Sequence, residues 1–190
     1  MNKQQPIITF EATVTTSAGP QAIYNVLADV STHIVWAGEQ AKDKTLKLLT
    51  LDAGKGNAKV GTVFTSTGTA IGSATFHDRS TVLEATPSRA FAFETESQLE
   101  RKRRPIWEVR FVHRYEIRPA AAGSRIRYTS DVHPQNYRPY WLHPLARPLF
   151  KVIVEKAITK NLQNLVRAAE SLSVDHMRLN RTAWSAPSTT

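Results

Sequence analysis

The chain holds no cysteine in its 190 residues, so a disulfide framework, a thiol nucleophile and the cysteine-based zinc fingers are excluded. Long apolar runs are missing too. Stretches such as LFKVIVEKAI (149–158) carry a charge every few residues, which excludes a membrane-spanning helix. The N-terminus lacks the basic and apolar segments of a signal peptide, and a cytoplasmic protein is the expectation. The six histidines (His33, His77, His113, His133, His143 and His176) show no HxH, HxxxH or HExxH spacing that would put two imidazoles on one element. No metal ion or cofactor is therefore expected. Neither is there a nucleic-acid-binding motif to accompany the formal charge of +9.

What the chain does have is a faultless alternation from Ile106 to Ile117. Trp107, Val109, Phe111, His113, Tyr115 and Ile117 point one way; Glu108, Arg110, Arg114 and Glu116 point the other, with Val112 out of character among them. A strand changes face at every residue, so this is a long strand with one aromatic, buried face. His113 and Tyr115 place a titratable ring and a phenol in that row. Each must find a hydrogen-bond partner or cost about 1–3 kcal/mol. Either neighbouring groups satisfy them, or the row lines a pocket for a partly polar, partly aromatic ligand.

The charge is unevenly spread. Residues 1–100 hold 8 Lys and Arg against 10 Asp and Glu, a net of −2, whereas residues 101–190 hold 17 against 6, a net of +11. The run Arg101, Lys102, Arg103, Arg104 is part of that basic half. Such a surface attracts nucleic acid or anionic membrane, or else simply keeps one face solvated as a hairpin tip.

Elsewhere, Ile7–Thr16 alternates as an opening strand, and Ser17, Gly19 and Pro20 signal a short helix carrying Ile23, Val26, Leu27 and Val30. Ser31 is placed to cap a second short helix reaching about Trp36. Four further strands are expected at Thr45–Leu51, Thr62–Thr67, Ser73–Ala85 (bent or broken near Asp78) and Phe91–Thr95, separated by turn residues. AAAGS (120–124) reverses the long strand into a last one, RIRYTSDV, with Tyr128 on its apolar face. Between His133 and Pro148, four prolines interleave with Tyr137, Tyr140, Trp141 and Leu142: a docked connector, or a lid over a pocket mouth. A helix of about seven turns then runs from Arg147 to near Leu172, its apolar arc formed by Phe150, Ile153, Val154, Ala157, Ile158, Leu162, Leu165, Ala168, Ala169 and Leu172. Asn161 sits near the middle of that arc, with an amide that must bond to the sheet or face a wet cavity. Residues 173–190 lose periodicity and are expected to be a disordered tail.

The order, strand, two short helices, a meander of strands and one long helix, predicts an α+β fold. A curved antiparallel sheet of about six to seven strands grips the C-terminal helix, in one domain over 1–172. Over residues 7–172 the chain resembles the START-like, helix-grip superfamily of polyketide cyclases and dehydrases, lipid-transport domains and the birch pollen allergen. The resemblance rests on Pro20, Ile23, Tyr24, Leu27, Asp29 and Trp36 after the first strand, on Leu83, Pro87, Arg89 and Phe91 around a turn, and on the helix segment Leu162–Glu170. It implies a deep pocket between sheet and helix for a hydrophobic or aromatic small molecule, lipid or polyketide-like. The residues expected to line it are Trp107, Phe111, His113, Tyr115, Tyr128, Phe150, Val154 and Asn161. An alternative is an enzyme of the cyclase or dehydrase type using the same pocket, with His113 as base and Tyr115 or Tyr128 as acid. A third is a basic surface for nucleic acid or anionic membrane.

Overall fold

The computed structural model describes residues 6–39, 46–70, 74–136 and 143–184, with side chains to residue 172. The chain opens with β1 (Ile8–Thr16), α1 (Pro20–Ala28), a 3-10 turn (Val30–Thr32) and a π-helical turn (Val35–Glu39). Six strands follow: β2 (Leu46–Asp52), β3 (Val63–Ala70), β4 (Ala74–Thr86), β5 (Ala90–Glu100), β6 (Trp107–Ala120) and β7 (Gly123–Pro134). The chain then enters α2 (Arg147–Trp184). Short connections make β2 to β7 an antiparallel meander, and β1 closes the far edge against β7, giving the order β1-β7-β6-β5-β4-β3-β2. The sheet is a curved half-barrel around α2.

The alternation of β6 does what period two demands. Trp107, Val109, Tyr115 and Ile117 are buried, while Glu108 and Arg114 are exposed. On the outer face Arg110 meets Glu94 and Arg114 meets Glu84, each at 2.7 Å. Phe91, Ile23, Leu27, Ile126, Leu162 and Leu165 are all fully buried in the core. Burying each is worth about 1.5–3 kcal/mol, which makes this the main source of fold stability.

The helix is tied to the β1 side by polar anchors. Glu155 Oε1 accepts from the Glu11 amide at 2.8 Å, and Arg147 donates to the Ile7 carbonyl at 3.0 Å. Glu170 Oε1 accepts from the Thr16 hydroxyl at 2.7 Å and from the amide and hydroxyl of Ser17. Towards β2, Asn161 Nδ2 reaches the Leu46 carbonyl at 3.5 Å.

Several local expectations change. Ser31 lies inside the 3-10 turn and donates to Asp29 Oδ1 at 2.6 Å, so it is not a helix cap. Strand β4 runs unbroken past Asp78, with its register shift between Val82 and Glu84 instead. Strand β5 extends to Glu100, since its polar second half still pairs on both sides. Ile153 and Leu172, on the predicted arc, are 43% and 51% exposed, whereas Val166 is buried. Beyond the predicted end near Leu172 the backbone stays helical to Trp184, because no Gly or Pro in 173–184 interrupts the i→i−4 ladder. Residues 185–190 of the predicted tail, and the lid segment Tyr137–Leu142, lie outside the described residues.

At the β6–β7 hairpin, Gly123 has φ +134°, and a Cβ there would lie 2.2 Å from the Thr16 carbonyl oxygen. Only glycine fits where this turn meets the end of β1.

Candidate functional site

Between the inner face of the sheet and the first half of α2 lies a cavity of about 890 Å³, with a smaller recess of about 180 Å³ that shares Asp78, His113, Tyr128 and Asn161 with it. Strand register decides what faces it. Phe93 pairs with His113 and His113 with Ser130, while the next inward row joins Phe91, Tyr115 and Tyr128. These side chains stack into an aromatic wall: ring centres are 4.7 Å apart for Phe93 and His113, 5.7 Å for Phe111 and His113, and 4.8 Å for Tyr115 and Tyr128. A second row across β3, β4 and β5 is polar. Ser66 pairs with Asp78 and Asp78 with Ser97, and beside them the Ser80 and Thr95 hydroxyls share a 2.8 Å hydrogen bond. One wall of the cavity is therefore aromatic and the adjoining one hydroxylic.

Of the residues singled out from sequence, Trp107, Phe111, His113, Tyr128, Phe150, Val154 and Asn161 all line the larger space, and Tyr115 lines the inner recess. Asn161 faces it half-buried. The polar row of Asp78, Ser80, Thr95 and Ser97 was not anticipated, and neither was Asn164. That buried amide on α2 donates to the Trp36 carbonyl at 3.0 Å and accepts from Arg167. At the mouth stand Lys47, Arg101 and Arg104. The run 101–104 is exposed throughout, in the turn between β5 and β6.

The polar groups are held mostly neutral. His113 Nδ1 and Tyr128 Oη share a 2.7 Å hydrogen bond, and burial drops the imidazole from its ordinary 6.5 to about 3. Burial likewise raises the Tyr115 phenol well above its usual range, and the neighbouring Tyr128 adds to this. Tyr128 is raised by burial too, against the opposing effect of its hydrogen bond with Ser130. An uncharged His–Tyr pair offers a ligand hydrogen bonds, but an imidazole at about 3 is a weak general base at neutral pH. Asp78 behaves differently. Burial lifts its carboxyl from 3.8 to about 6, with the Ser97 hydrogen bond and the field of His77 opposing the rise. Deeper in, His33 Nε2 bonds the Leu27 carbonyl at 2.9 Å and the ring packs 4.8 Å from Trp36. Burial takes it to about 4. Among the described residues no three His, Asp or Glu side chains converge as a metal site, and no helix is long and apolar enough to cross a membrane.

A family model described as polyketide cyclase / dehydrase and lipid transport matches residues 8–170. No curated protein matches the sequence. Among solved structures, a conserved protein from Geobacillus kaustophilus superposes with a TM-score of 0.65 at 7% identity, covering 86% of this chain and 96% of its own. A Chromobacterium violaceum protein gives 0.57 at 13% identity, over 85% and 96% of the two chains. Ara h 8.0201 gives 0.53 at 16% identity, over 88% and 98%. At such identities the likeness is one of fold.

Proposed function

The chain belongs to the polyketide cyclase / dehydrase and lipid transport family, and from that we propose that residues up to about 172 bind a hydrophobic, partly aromatic small molecule, lipid or polyketide-like, in the cavity between sheet and α2. The observation that carries this reading is the cavity itself. About 890 Å³ lies within the range of small-molecule sites, and an aromatic wall with a few fixed polar points is how such sites gain both affinity and orientation. Trp107, Phe111, Phe150 and Val154 supply apolar contact; His113, Tyr115, Tyr128 and Asn161 supply orientation.

A catalytic use of the same cavity is the second reading. His113 is poorly suited to be its base, for the reason given above, so binding is the simpler role. The test is displacement of an environment-sensitive apolar dye by polycyclic aromatics and lipids at low and high salt. The expected result is displacement that does not change with salt. No dye binding, or binding of nucleic acid or anionic vesicles that falls steeply with salt, would move the function to the basic half of the chain.

A further inference from the structure

On the hydroxylic wall stands a single carboxyl group. Asp78 lies on β4 directly opposite Ser97 of β5 and Ser66 of β3, and it lines both the larger cavity and the inner recess. The Ser97 hydroxyl is its hydrogen-bond partner, yet Oδ1 is buried with no partner at all. Among the described residues none of the three basic groups at the mouth, Lys47, Arg101 and Arg104, forms an ion pair with it, and its own neighbours in the inward row are serines. Evolutionarily neutral packing would favour an apolar or hydroxylic residue here, because a buried acceptor left open keeps its desolvation cost with no return. Rotation about a terminal sp³–sp² torsion is soft, so either carboxyl oxygen can be turned towards the cavity.

Resting on the proposed binding of a small molecule in this cavity, we infer that Asp78 is a specificity-determining residue: it accepts a hydrogen bond from a hydroxyl group carried by an otherwise aromatic or apolar ligand. The two walls then divide the work. The rings of Phe93, Phe111 and His113 hold the flat apolar body, and Asp78, steadied by Ser97, reads whether a hydroxyl projects from its edge. A ligand whose oxygen is capped by a methyl group cannot donate, and leaves the carboxyl desolvated and open.

The probes are 2-naphthol and 2-methoxynaphthalene, which share one ring system and differ in having or lacking a donor, each measured by displacement of the apolar dye from the full chain. Wild type is expected to prefer the naphthol by about tenfold, the worth of one hydrogen bond to a charged or polar acceptor. Asp78→Leu should bring the ratio to near one by weakening naphthol alone. Asp78→Asn, whose amide oxygen still accepts, should keep part of the preference. Continued binding of 2-methoxynaphthalene to Asp78→Leu shows that this variant is folded and the cavity intact. A wild type without preference, or a preference undiminished in Asp78→Leu while both probes still bind, overturns the role of Asp78 and leaves the cavity reading standing. If neither probe nor dye binds wild type, the cavity reading falls and this inference with it.

Discussion

Acidification from pH 7 to pH 5 should destabilise this protein in a way that can be traced to named residues. His33 is 5% exposed, held by the Leu27 carbonyl and walled by Trp36, and burial lowers it from 6.5 to about 4. A histidine with a depressed folded value binds fewer protons folded than unfolded. Its stabilising contribution is full above pH 6.5 and is lost as pH falls from there to about 4. At 1.36 kcal/mol per pH unit the whole loss is roughly 3 kcal/mol, of which ~2 kcal/mol falls between pH 7 and 5. His113 acts in the same direction, but it borders an open cavity and should contribute less than its fall to about 3 implies. Asp78 opposes both. With its folded value raised to about 6, it binds more protons folded than unfolded, so acidification over the same interval returns ~1 kcal/mol. With a discounted ~1 kcal/mol from His113, wild type should therefore lose ~2 kcal/mol on balance. His33→Gln, which cannot titrate, should lose ~2 kcal/mol less over the interval, and Asp78→Asn ~1 kcal/mol more. Urea melts at the two pH values, followed through the fluorescence of the buried Trp36 and Trp107, give the differences by linear extrapolation. A His33→Gln variant with the same pH 7 to 5 difference as wild type would refute the assignment.

Three further outcomes can be checked on single samples. Asn161→Leu should leave thermal stability unchanged or slightly raised, because its amide holds the Leu46 carbonyl only at 3.5 Å; loss of more than about 1 kcal/mol in a denaturant melt would show a stronger tie than that distance allows. Gly123→Ala should destabilise by about 2 kcal/mol or more, since φ +134° and the close Thr16 carbonyl both oppose a side chain; a calorimetric midpoint equal to wild type would contradict this. Replacing Arg101, Lys102, Arg103 and Arg104 together by serine should shift stability by no more than about 0.5 kcal/mol for each exposed site; a large fall in melting temperature would mean the turn is structural.

The aromatic wall was legible in the sequence because β6 alternates strictly and its inward residues are large and apolar, so periodicity and burial point the same way. The terminal helix was legible for the same reason. Asp78, Ser80, Thr95 and Ser97 were not, because polar residues alternate with polar residues along β4 and β5, and period two has no contrast to work with there. A polar side chain facing a wet cavity has the same sequence signature as one facing bulk water. Only the register, which sets Asp78 against Ser97 with both facing the cavity, separates the two. Asn164 illustrates a similar limit: it lies one turn from Asn161, and no helical projection reveals that the Trp36 carbonyl waits for it near the start of a π-helical turn.

Glu155, Arg147 and Glu170 fasten α2 to Glu11, Ile7, Thr16 and Ser17 on the β1 edge, and Asn164 fastens it to the Trp36 carbonyl, while among the described residues its hydrogen bond to β2 is the long one through Asn161. Mechanically this is a jaw hinged on one side. Spreading β2 from the helix breaks one weak hydrogen bond, whereas opening at β1 breaks several good ones and disturbs the core. On the proposed binding role, guests of different thickness would be admitted by yielding at a single rim, with the hinge side and its aromatic wall keeping their shape. The protein would then tolerate variation in a ligand's bulk far better than variation in the groups that meet its rigid wall.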